Sequence, residues 1–130
     1  VNSVPDGESY QRAANAYVIW PLAALDLFRE PVDATAWSRL HTRQAFVFGI
    51  AMTLAYFALL ALPLIVVIAI SNVSTGAVLW LYALGVAADL AGAVVWLVLS
   101  LRYRERAARG DLFAIPLVTP VADRLFRLDR

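Results

Sequence analysis

Two unbroken apolar runs constrain this chain more than anything else in it. Ala45–Ile70 is 26 residues long and carries no charge; Gly76–Leu101 is also 26 residues and carries one, Asp89. About 20 apolar residues of helix cross a bilayer core, so either run is long enough to span. Asp89 falls halfway along the second run, where a carboxylate is costly and demands a reason. Ser71–Thr75 between the runs is short and uncharged, as a turn should be. The expected fold is therefore all-α and membrane-embedded: a two-helix transmembrane hairpin with interfacial or re-entrant helices at both ends.

Composition agrees with that reading. Hydrophobic residues make up 62% of the 130, and mean hydropathy is +0.70, too apolar for an ordinary soluble domain. The net charge of +1 gives no basic field, which argues against nucleic acid as a partner. Cysteine is absent, and with it disulfides, a thiolate nucleophile and Cys-based metal sites.

Four stretches organise the chain. Residues 1–11 read as a polar lead without a basic n-region, so a cleavable signal is not expected. Residues 12–44 hold an apolar segment broken by Pro21, then a collar containing Trp37, Arg39, His41, Arg43 and Gln44. The cleanest part of that segment, Ala13–Leu25, is short for a simple span, so an interfacial or re-entrant helix is set against a strained span. Residues 45–101 form the hairpin, 45–70 and 76–101. Residues 102–130 continue as a cytoplasmic helix end, stop at Gly110 and finish in an amphipathic tail. There Thr119 is placed to cap and Pro120 to open a helix, with Val118, Val121, Ala122, Leu125 and Phe126 on one face. Arg39 and Arg43 precede the first run, and Arg102, Arg104, Arg106 and Arg109 follow the second. The positive-inside rule then puts both termini in the cytoplasm.

Within a hairpin, small and polar residues guide helix packing. Tyr82, Gly85, Asp89, Gly92 and Trp96 form one heptad-like seam; Gly49, Thr53, Tyr56, Leu60 and Pro63 form the other. A register centred on Val73 sets Asp89 against Tyr56, Gly92 against Thr53, Trp96 against Gly49, Gly85 against Leu60 and Tyr82 against Pro63. Asp89 then has three readings: a packing hydrogen bond to Tyr56 or Thr53, a proton relay or ion site, or a contact with another subunit.

The chemistry of catalysis is thin. His41 is the only histidine, and no acid stands at metal-ligand spacing from it. Neither run contains a histidine to ligate haem or chlorophyll, and no Gly-rich phosphate loop occurs. No catalytic residue, metal or cofactor is expected, and the chain does not read as an enzyme. Arg39, His41, Arg43, Gln44, Arg102, Arg106, Leu125 and Phe126 are expected at a lipid interface or against a partner. The collar's other reading is a docking surface for a partner or for the chain's own tail.

Two stretches carry a family resemblance. Trp37-Ser-Arg-Leu-His-Thr-Arg-Gln-Ala45 resembles an F-x-R-F/L-H-A-R-Q-A lead into a membrane helix. Ala108-Arg-Gly-Asp-Leu-Phe-Ala-Ile-Pro-Leu117 resembles an A-x-x-G-x-x-x-x-x-P-L exit after the last span. Both occur in small bacterial membrane proteins of unknown function, related to the channel-like subunit of the chloroplast inner-envelope protein-import machinery. The order of elements matches from Arg12 to Leu128, and His41, Arg43, Gln44, Gly110 and Pro116 are the matching positions. The resemblance implies a multi-pass protein of the bacterial cytoplasmic (inner) membrane and a translocation or channel-like role. The residues themselves suggest a non-catalytic integral membrane subunit of a larger energy-transducing complex, respiratory or photosynthetic. Two spans bury little surface between them and leave Ala83, Ala87 and Ala91 for other helices. Membrane lipids and other subunits are the expected partners.

Overall fold

The computed structural model describes residues 7–29, 35–70 and 75–126. Among them are five helices: α1 (Gly7–Val18), α2 (Trp20–Phe28), α3 (Ala36–Ile70), α4 (Thr75–Ala108) and α5 (Val118–Phe126). The chain falls into two units, residues 1–51 with 99–130, and residues 52–98.

Local chemistry explains where each helix starts and stops. Pro21 lies in the first turn of α2, where its missing N–H costs nothing, and Ile19 marks the break from α1. Thr35 caps α3: its Oγ1 accepts from the Ser38 N–H at 3.1 Å. Gly110 ends α4 in the left-handed region at φ 77. The Gly110 N–H donates to the Ala107 carbonyl and the Asp111 N–H to that of Arg106, a Schellman closure. A side chain at Gly110 would also crowd the Tyr10 ring. Thr119 does not cap α5 as its sequence position suggests. It lies inside the helix, and its hydroxyl reaches back to accept from the Ile115 N–H at 2.8 Å.

The first unit is closed by end segments that pack on the long helices. Ala13, Ala14, Ala16 and Tyr17 of α1 are buried, as are Ala23 of α2 and Ala45, Val47 and Phe48 of α3. Ala107, Phe113, Ile115 and Ala122 complete this core. Trp20 sits so close to Gly49 that any side chain there would overlap its Cβ and Cγ. Arg12 Nε donates to Asp26 Oδ2 at 3.1 Å and links α1 to α2.

These packed segments correct the hairpin expectation. The fold is all-α with five packed helices and extensive long-range contacts, not a two-helix transmembrane hairpin with interfacial or re-entrant helices at its ends. One face of α1 (Ala13, Ala14, Ala16, Tyr17), Ala23 of α2, and Phe113, Ile115 and Ala122 bury against the protein itself, whereas Leu22, Leu25, Phe28, Leu112 and Leu117 stay exposed. The placement as a multi-pass protein of the bacterial inner membrane with both termini cytoplasmic falls with that picture. It treated residues 12–44 and 102–130 as surface attachments, whereas they fold as part of one unit. The outer ends and the turn that the topology argument needs, residues 1–6, 71–74 and 127–130, lie outside the described residues.

In the second unit, α3 and α4 are apolar and open. Both helices are long and apolar enough to cross a membrane by length and composition. Leu54, Phe57, Leu62, Ile65, Trp80, Leu84, Leu90 and Val94 are all exposed. Gly85 meets Pro63, Gly92 meets the tip of Leu59, and the Tyr56 and Trp96 rings lie 5.8 Å apart. This differs from the register centred on Val73 by about one to two helical turns. Part of the reason is that helical side chains lean toward their own N-terminus, so antiparallel partners meet later in both sequences than their backbones do.

Candidate functional site

A buried polar centre occupies the first unit. Tyr17, His41 and Gln44 are 1%, 0% and 1% exposed, and all three side chains are polar. Buried polar groups must find partners, and here they come from four parts of the chain. The Tyr17 hydroxyl of α1 lies 3.0 Å from His41 Nδ1 and 3.2 Å from Gln44 Oε1. His41 Nε2 lies 3.1 Å from the Asp111 carbonyl. Gln44 Nε2 donates to the Phe113 carbonyl at 3.3 Å and to Thr119 Oγ1 at 3.0 Å. His41 and Gln44 are one turn apart on α3, so both face the same way.

The carbonyl partner fixes the histidine tautomer. A carbonyl accepts only, so Nε2 carries the hydrogen and Nδ1 offers a lone pair to Tyr17. Burial pushes the His41 imidazole down to about 4, with the Asp111 carbonyl pulling weakly the other way. Burial likewise raises the Tyr17 phenol far above its ordinary value, with Tyr103 nearby adding to the effect. Both groups are therefore neutral at pH 7.

Aromatic rings wall the centre. Trp37 lies 4.3 Å and Phe113 5.1 Å from the His41 ring. Tyr103 stacks on Phe113 at 5.5 Å and meets Phe48 edge-on at 5.3 Å. The Arg106 guanidinium lies 4.5 Å over the Phe113 ring, and Arg43 lies 5.1 Å over Phe126. What the arrangement does chemically is hold α1, α3 and the tail together. Among the described residues no three His, Asp or Glu side chains gather as a metal site.

The remaining residues singled out in the sequence are scattered. Arg39, Arg102 and Leu125 are exposed, and Arg106 reaches 3.8 Å from the Asp111 carboxylate. His41 and Gln44 touch the chain's own tail. Gly49 packs on Trp20. In the second unit, Thr53 Oγ1 and Asp89 Oδ1 are buried without a hydrogen-bond partner among the described residues. Gly85 opens a groove of about 510 Å³ whose lining includes Ala55, Leu59, Leu62, Pro63 and Ala88.

Sequence reading missed Tyr17, Phe113 and Thr119 as members of the centre. The available signal was on α1: Ala13, Ala14, Ala16 and Tyr17 form a face of small residues with one large, polar-tipped side chain. Such a face fits close approach to another helix. Comparison with protein-family models, curated proteins and solved structures finds no match for this chain.

Proposed function

We propose that this chain is a non-catalytic subunit that packs into a larger assembly. One observation carries the reading: large apolar side chains stand exposed along α3 and α4 through residues 52–98. Exposed apolar patches of this extent mark surfaces that something else covers. The small residues Ala83, Ala87 and Ala91 on α4 let a neighbouring helix approach closely. Helices of other subunits, with lipid acyl chains filling the remainder, match that surface chemically.

The parent we put forward is an energy-transducing complex, respiratory or photosynthetic. Mild-detergent extraction from the native source, followed by native electrophoresis, tests it. The expected result is co-migration with such a complex, far above the 14.3 kDa of the chain alone. Migration as a free monomer that stays dispersed without amphiphile overturns the proposal. Ion leak through liposomes containing only the purified chain also overturns it, in favour of a channel-like component.

A further inference from the structure

The hydrogen count in the buried centre is one short. With Nε2–H committed to the Asp111 carbonyl, His41 Nδ1 is an acceptor. Gln44 Oε1 is an acceptor too, because its amide nitrogen faces the Phe113 carbonyl and Thr119. Both acceptors point at the Tyr17 hydroxyl, which has one hydrogen to give. A proton on Nδ1 would complete the set. Nδ1–H would donate to the Tyr17 oxygen, and the Tyr17 hydrogen would turn wholly to Gln44 Oε1.

Burial opposes that gain. The groups on His41 are Tyr17 from α1, Trp37 from α3, and the Asp111 carbonyl and Phe113 from the connecting segment; behind Tyr17 lie Tyr103 of α4 and Gln44, and Gln44 in turn holds Thr119 of α5. Both ring nitrogens are held by neutral groups, and the nearby Asp111 carboxylate is turned to Arg106. The Arg106 guanidinium over Phe113 adds a like charge. Burying an unpaired cation costs more than one hydrogen bond returns.

We propose that the Tyr17–His41–Gln44 centre is an acid-operated latch: a proton taken from solvent by His41 Nδ1 puts an uncompensated charge into the core and releases α1 from α3. The sign follows from linkage. His41 titrates at about 4 when closed and near its ordinary 6.5 when open. The closed form is therefore fully favoured above 6.5, loses ground as pH falls through 6.5, and levels off near 4. Each pH unit in that window weakens closure about tenfold.

Amide hydrogen exchange of α1 in the full-length chain reads this directly, corrected for intrinsic exchange. Between pH 7 and 5, above the ordinary carboxylate range, the opening constant should rise about 20-fold. A His41→Gln variant, which cannot titrate there, should show no such rise. Because the chain has one histidine, its imidazole carbon resonance in the unmodified protein provides a second measurement that depends on no variant. A folded-state midpoint at or above 6.5 overturns the latch. So does α1 protection that is flat from pH 7 to 5, or an equal rise in His41→Gln.

Discussion

Replacing Gly49 with valine should lift α2 from α3. A side chain at this position would overlap Cβ and Cγ of Trp20, and those atoms sit close to the α2 backbone. The clash cannot be relieved by turning the end of a flexible chain; the helix itself must move. Overpacking of this kind typically costs 1–3 kcal/mol, and the rigid neighbour puts this case at about 3 kcal/mol. Denaturant unfolding should show a clear drop in midpoint, with exchange protection lost first in Trp20–Phe28. Gly92→Ala is the internal control. There the new atom meets only the tip of Leu59, a side chain that can rotate away. If Gly49→Val and Gly92→Ala behave alike, the close seating of α2 is wrong.

The second large effect concerns Tyr17→Phe. The ring and its packing remain, but the only donor facing two buried acceptors is gone. Each stranded polar group costs about 1–3 kcal/mol, so a loss on the order of 3 kcal/mol is expected from removing one oxygen atom. Gln44→Met should also destabilise, by stranding the Phe113 carbonyl. The two changes share the Tyr17–Gln44 bond, so the double variant should lose less than the sum of the singles. Strict additivity would show that the residues do not act as one network.

How much of this was legible in the sequence differs by element. The long helices were readable because an apolar run of 26 residues without a break leaves few alternatives. The start of α3 at Ala36 was not, because it runs through polar sequence whose burial is decided by partners. Gly110 was readable as a stop because a left-handed position selects glycine. The collar at His41 and Gln44 stood out for its polarity, but its partners lie up to 75 positions away. They include two main-chain carbonyls, which no side-chain pattern announces. Helix α1 begins at Gly7, inside a stretch that reads as a polar lead, because only its alanine face is buried. Asp89 drew attention as a lone charge, yet the hydrogen bonds that close the fold run through neutral groups elsewhere.

The reach of those bonds sets an order of assembly during synthesis. His41 bonds 70 positions ahead and Gln44 75. Closing so long a loop is slow, and it cannot begin before the far partners have left the ribosome. The second unit needs no such wait, since Gly85 on Pro63, Gly92 on Leu59 and Tyr56 on Trp96 join two consecutive helices. The nascent chain therefore carries an apolar helix pair while Tyr17, His41 and Gln44 still face water, and the polar centre closes last. A chain ended after Gly110 should keep exchange protection in residues 52–98 and lose it in α1. Equal protection of α1 in the shortened and full chains would reverse that sequence of events.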